Sequence, residues 1–287
     1  MSVAFRCAGS APRIFFVLTL SVSGVFFTPF GAFAATLNAA AGGTFTMNLD
    51  RNAFALLNGG TASNPGDFLV QFFDTQASDY KSYSDSYFYL GNTSRTEVSA
   101  LNLVHDITPV GSSNPTGQAA NRHVKSTTPN FSIDSETLAG TGLLGMTGIE
   151  LFRGLYSGSL ITGDYSLLYN PNNRQNAWAD LGQDGTPSGW YLQNNVSFSM
   201  VVYELTNLVV SYTDANHWQM SGDLLMSPEN ADFLHGARLA DMGDFCLGVG
   251  SHSGCGQVST VPVPAALWLF ISGLTGMFIG RLPGRRS

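Results

Sequence analysis

Charge is what this sequence has least of: 13 Lys and Arg and 20 Asp and Glu among 287 residues, about 11%, against roughly 25% in an ordinary soluble domain. The net charge of −7 excludes a nucleic-acid binder that works through clustered Lys and Arg. A mean hydropathy of +0.08 excludes both a multi-span membrane protein and a disordered acidic chain. Cysteine is also sparse, with three residues, and amphipathic helical periodicity is scarce along the whole chain. No H-x-H or H-E-x-x-H spacing relates His105, His123, His217, His235 and His252, so no zinc site and no bound metal is expected. No G-x-S-x-G elbow is present. With no catalytic motif readable, the chain is not expected to be an enzyme or to carry a cofactor.

What is there sits first at the two ends. Arg6 and Arg13 precede an apolar run from Ile14 to Phe27, then Thr28, Pro29 and the small residues Ala32 and Ala34. This order is that of a secretory signal peptide over residues 1–34, with signal peptidase cutting after Ala34. The competing reading, an uncleaved anchor, falls short of the roughly 20 residues a span needs. At the other end Val261, Pro262, Val263, Pro264 and Ala265 lead into an apolar stretch reaching Gly280, followed by Arg281, Arg285 and Arg286. About 20 residues at 1.5 Å rise cover roughly 30 Å, enough for a transmembrane helix. The trailing Arg place the tail in the cytoplasm and the residues before it outside. Ser272, Gly276 and Gly280 share one face as a small-xxx-small ridge suited to close helix approach.

The run Val261-Pro262-Val263-Pro264-Ala265-Ala266-Leu267-Trp268, with its short span and terminal Arg, resembles the PEP-CTERM sorting signal in its VPLPA-like variant. The name-giving Glu is replaced here by Val263. The resemblance implies an exosortase-like membrane enzyme as partner, cleavage near the Pro motif, and delivery through the inner membrane to the cell surface or to an extracellular exopolysaccharide matrix. The body, through stretches such as Gly189-Trp190-Tyr191-Leu192-Gln193-Asn194-Asn195 and Ser221-Gly222-Asp223-Leu224-Leu225, is similar to other exported proteins with such tails, a similarity that implies no activity.

Between these ends the expected plan is an exported domain at 35–250, a linker at 251–260 and the sorting signal at 261–287. With five Arg and no acid in the two terminal segments, residues 35–260 carry 8 bases against 20 acids, a charge that favours solubility and opposes binding to anionic polymers. Cys7 leaves with the signal peptide, so Cys246 and Cys255 are an even pair in an oxidising compartment, expected to form a disulfide. It would contribute roughly 2.5–3 kcal/mol by restricting the unfolded chain. A metal site built with His252 would have three ligands at best.

Alternation of period two predicts strands at 44–49, 67–73, 86–90, 98–104, 148–152, 164–169, 196–203, 206–212, 217–226 and 243–249. In the clearest, Val196, Phe198, Met200 and Val202 are expected on the core face. One helix is predicted, from Pro228 to about Leu234. The fold class is therefore all-β, a single antiparallel β-sandwich or barrel-like domain. Residues 106–130 and 170–189 read as long loops. Gly140-x-Gly142-x-x-Gly145 matches a dinucleotide fingerprint in letters only, because a strand rather than a helix is expected after it. The pairs Gly66-Asp67, Gly163-Asp164, Gly222-Asp223 and Gly243-Asp244 read as turns or bulges leading into strands.

Two marginal binding features remain. Asp180, Asp184 and Gly185 offer a weak calcium possibility, although a solvated turn fits them better. Trp178, Trp190 and Tyr191, with Tyr80, Tyr83, Tyr87 and Tyr89, are candidate glycan contacts, against which stands a packed core role. The leading expectation is an exported surface or matrix protein with a structural or binding role. A carbohydrate-binding module or adhesin comes second and a secreted hydrolase third.

Overall fold

The computed structural model describes residues 34–73, 96–111, 122–154 and 158–250, and all structural statements below concern these. The expected signal peptide, apart from Ala34, and the expected sorting helix lie outside them, as does the strand expected at 86–90. Among the described residues no helix is long and apolar enough to cross a membrane.

The structure is mostly antiparallel β-sheet, as the alternation required. Its main element is an eight-stranded sheet curled into a half-barrel. In spatial order it holds β4 (Leu103–Asp106), β2 (Gly43–Leu49), β14 (Asp241–Val249), β13 (His217–Met226), β12 (Met200–Asp214), β11 (Trp190–Asn194), β10 (Ser166–Tyr169) and β7 (Leu143–Gly145). The two outermost strands meet again just beyond their ends. Ile107 and Met146 form an antiparallel bridge, the Thr108 N–H donates to the Gly145 carbonyl at 2.9 Å, and the Thr147 N–H donates to the Asp106 carbonyl at 3.0 Å. A three-stranded sheet, β3 (Asp67–Phe73), β8 (Ile149–Gly154) and β9 (Gly158–Gly163), packs on the curl. A second joins β1 (Thr36–Leu37), β5 (Ser132–Asp134) and β6 (Gly140–Thr141).

The core follows from the pleat. Phe45, Met47, Tyr203, Leu205, Met220, Leu224, Phe245 and Leu247 are buried together, and the Phe45 and Phe245 rings stack at 5.3 Å. Phe152 of β8 enters the same core and stacks on Phe54 at 4.8 Å. Phe54 belongs to α1 (Arg51–Ala55), whose N-terminus is capped by the Asp50 side chain. On the other face of the small sheet Val70, Phe73, Ile149, Leu151, Ile161 and Val196 form a separate cluster.

Several expectations are corrected. Residues 196–203 are not one strand. The buried Asn194 amide bonds the backbone of Val196 at both ends and the Phe198 carbonyl, and Ser197 has φ +66°. That turn breaks the alternation, leaving Phe198 42% exposed. β12 instead runs on to Asp214, absorbing the irregularity between its two expected halves as a bulge at Thr206–Val209, where Asn207 has φ +50°. The strand expected at 98–104 begins only at Leu103, after Asn102 turns the chain at φ +58°.

Within the expected loop at 170–189 lies α2 (Pro171–Asp180), opened by Pro171 and capped by Asn170. The predicted helix is α3 (Pro228–Leu234), capped by Ser227. Gly222-Asp223 and Gly243-Asp244 do not lead into strands but sit inside neighbouring ones, with Asp223 opposite Asp244.

Candidate functional site

Two charged clusters and one buried carboxylate are built into this scaffold. α2 lies over the outer face of β12, and period two turns Glu204 to that face while Tyr203 and Leu205 point into the core. Arg174 of α2, 1% exposed, bonds both Glu204 and Glu229 of α3. Its Nε reaches Glu204 Oε1 at 2.7 Å, and Nη1 reaches Glu229 Oε1 at 2.7 Å. The guanidinium also covers the Tyr191 ring, 5.3 Å from its centroid. Burial pushes the Glu204 carboxyl up against the pull of Arg174. For the more exposed Glu229 burial also pushes up, but the Arg174 bonds prevail and hold it down.

The second cluster lies where the half-barrel edges meet. Arg122 bonds the buried Asp164 through Nε at 2.9 Å and again through Nη2. Burial raises the Asp164 carboxyl, opposed chiefly by the hydrogen bonds and charge of Arg122. His105 Nε2 lies 2.8 Å from Glu150 Oε1, with both side chains fully buried, but the two atoms do not meet in hydrogen-bond geometry. His105 Nδ1 faces the Thr147 carbonyl at 3.1 Å. Tyr165 O–H donates to Glu150 Oε2 at 2.8 Å, and Thr162 O–H does so at 3.2 Å.

The third feature is Asp67, 1% exposed. One oxygen accepts from the Asn58 side-chain N–H at 2.6 Å, while Oδ1 has no hydrogen-bond partner among the described residues. Burial, only partly offset by that bond, pushes its carboxyl up to about 6. A folded-state value above the unfolded one means the folded protein binds the extra proton. Stability from this group is therefore present near pH 4 and lost as pH rises through 6. A shift of that size corresponds to about 3 kcal/mol at most. Asp67→Asn is expected to raise the urea midpoint at pH 8 and to flatten the decline in stability between pH 4 and 7. An unchanged slope would show that Asp67 does not titrate in this window.

The expected site residues are distributed as follows. Trp190 is fully buried, its indole N–H donates to the Leu138 carbonyl at 2.7 Å, and its ring packs on Tyr169 and Phe131. Trp178 lies in α2 rather than a loop and is 5% exposed. Neither indole offers a face to a glycan, because both are used in packing. Tyr191 is half-buried beneath Arg174.

Asp180 ends α2, Asp184 is exposed beyond it, and no group of three or more His, Cys, Asp or Glu among the described residues is placed to hold a metal. Cys246 in β14 is disulfide-bonded, and Cys255 lies outside the described residues. So do Ala32, the four clustered tyrosines, Val261, Pro262, Val263, Pro264, Ala265 and the terminal Arg281, Arg285 and Arg286. Ala34, the expected cleavage residue, is the first described residue and is exposed.

Two surface features went unread in the sequence. Phe198, raised by the Asn194 turn, and Phe233 of α3, 53% exposed, pack their rings 5.9 Å apart. A shallow groove of about 550 Å³ is lined by Leu49, Arg51, Glu97, Val98, Ala100 and Leu101. Its cation is already engaged, since Arg51 bonds Glu97 twice and the Ala62 carbonyl once. No family model matches the chain, and no curated protein or solved structure does either.

Proposed function

We propose that this chain is an exported protein of the cell surface or extracellular matrix, handled by signal peptidase and by an exosortase-like membrane enzyme, whose β-rich body has a structural or binding role. The observation that carries this reading is the order of Val261-Pro262-Val263-Pro264, apolar span and Arg281, Arg285 and Arg286. That order combines a recognition segment, a stretch long enough for the hydrocarbon core and a cytoplasmic charge lock. Replacing Pro262 and Pro264 together by Ala is expected to leave the tail on the exported protein, read as an intact mass higher by the tail and as retention in the membrane fraction. Identical mature masses for wild type and variant would refute the sorting assignment.

A binding role, the second reading, is favoured by the Phe198 and Phe233 pair. Exposed aromatic faces held by a buried amide suit packing against sugar C–H groups, and the acidic body suits a neutral glycan rather than an anionic one. On this reading the candidate glycan contact is Phe198 and Phe233 rather than Trp178 and Trp190. For the hydrolase alternative, Glu204 and Glu229 are poor candidates for the carboxylate pair, because both are bound by Arg174.

A further inference from the structure

β12 is 15 residues long, but β11 accompanies it only from Met200 to Glu204. The Ser188 hydroxyl then donates to the Leu205 carbonyl. From Thr206 to Asp214 no described strand lies on that side, while β13 continues the ladder on the other. Burial marks the same rim. Cross-strand partners point to one face of a sheet, so Val210 and Tyr212 face inward with Met220 and Trp218. Met220 and Trp218 are fully buried, whereas Tyr212 is 40% exposed and Val210 is half-buried. On the outer face Val209 is exposed.

An open sheet edge offers a row of N–H and C=O groups to any extended chain, and proteins commonly guard it with Lys, Pro or inward-pointing charge. Residues 205–213, Leu-Thr-Asn-Leu-Val-Val-Ser-Tyr-Thr, contain no charge, no Pro and no Gly. Thr206, Val209, Val210, Tyr212 and Thr213 are β-branched or aromatic, the composition that favours strand pairing.

We infer that this edge pairs with the same edge of a second copy of the chain, antiparallel about a two-fold axis at Val210, joining the two sheets into one. The match is self-complementary. With the axis at Val210, Leu208 of each copy lies opposite Tyr212 of the other on the inner face, where Leu208 and Val210 already pack against the core. The apolar side chains that one copy leaves half-covered are closed over by the other. On the outer face Val209 meets Ser211, and the nearest charges, Glu204 and Asp214, lie outside the paired stretch. Charge favours a second copy as the occupant. Residues 35–260 carry 8 bases against 20 acids, so a basic partner would be drawn to the carboxylates, whereas two acidic copies approach most closely where neither carries charge. Pairing uses up the edge on both copies, so association stops at two. Salt screens the repulsion between the acidic bodies, so the dimer tightens as salt rises. None of this depends on the sorting reading, and its failure would leave that reading standing.

The test is the oligomeric state of the full chain in mild detergent, measured by sedimentation at low and high salt. A dimer that strengthens with salt is expected. Val209→Lys, at a side chain already exposed, is expected to weaken it several-fold with the melting temperature unchanged, because the two ammonium groups face each other diagonally across the axis. Val210→Cys, on the axis itself, is expected to give a disulfide-linked dimer on a non-reducing gel, whereas Asn216→Cys, exposed beyond the stretch, gives none above the wild-type level. A dimer that Val209→Lys leaves unaltered is held elsewhere, for instance by the Ser272, Gly276 and Gly280 ridge, and overturns the proposal. So does a wild-type chain that sediments as a monomer at both salt levels, or a Val210→Cys chain that crosslinks no better than Asn216→Cys.

Discussion

Arg174→Ala is expected to destabilise the body by about 3–5 kcal/mol, the usual cost of stripping one partner from a buried ion pair. For a domain of this size that lowers Tm by roughly 6–20 °C. The magnitude comes from what is left behind. Glu204 is 1% exposed, and its carboxyl is already raised by burial with Arg174 in place. Without the guanidinium, α2 loses its ties to Glu204 of β12 and Glu229 of α3, and Tyr191 loses the cation over its ring.

The deficit has a defined pH sign. An unpaired buried Glu204 takes up a proton, so its folded-state value rises further above the unfolded one, and the loss is larger at pH 8 than at pH 5. Urea unfolding at the two pH values measures this. Arg174→Met combined with Glu204→Leu is expected to recover most of the loss, because a packed apolar pair replaces the ions without leaving a charge buried. A double variant as unstable as Arg174→Ala would mean that the loss does not come from the stranded Glu204 charge.

The same residues show where the sequence was legible. Helix α3 could be read because Ser227, Pro228 and an apolar inner face through Ala231 and Leu234 coincide. Helix α2 has an equally good start at Asn170 and Pro171, but the face it buries is Arg174 and Trp178. Its packing is ionic, so hydrophobic periodicity carried no trace of it. β3 and β13 were predicted with the bounds they have, although β3 breaks its alternation at a register shift between Leu69 and Gln71. The expected strand at 196–203 failed because letters alternate equally well through a turn; the deciding contacts come from the Asn194 side chain. The edge contact at Ile107 and Met146 joins residues 39 apart, a separation beyond any local pattern. Trp178, Trp190 and Tyr191 show a related limit: aromatic identity marks a residue for a ligand or for the core equally, and only burial separates the two.

The edge contact leads to the second large effect. Arg122, Asp164, His105 and Glu150 form a row of buried polar groups inside the protein. His105 comes from β4 at one edge of the half-barrel and Glu150 from β8. Tyr165, next to β10, bonds Glu150 from the other edge. Both His105 nitrogens face oxygens, the Thr147 carbonyl and the Glu150 carboxylate, so the ring lies between the two.

Glu150→Leu leaves a buried ring nitrogen without the carboxylate beside it, and His105→Phe leaves the buried carboxylate without the ring. Each is expected to cost about 3–5 kcal/mol, and the two together much less than their sum. The loss should also be local. The amides of Thr108 and Thr147, which hold the two edges together, are expected to lose hydrogen-exchange protection before those of β13, at the centre of the sheet. Gly148→Ala provides the same disturbance without touching a charge. Its Cβ would sit 2.5 Å from His105 Nδ1 at a residue with φ +122°, so it must displace the ring or strain the backbone. If the single variants cost under about 1 kcal/mol, or if Thr108 and Thr147 open no sooner than β13, the edges are held by their backbone bonds and apolar packing, and the buried ions do not fasten them.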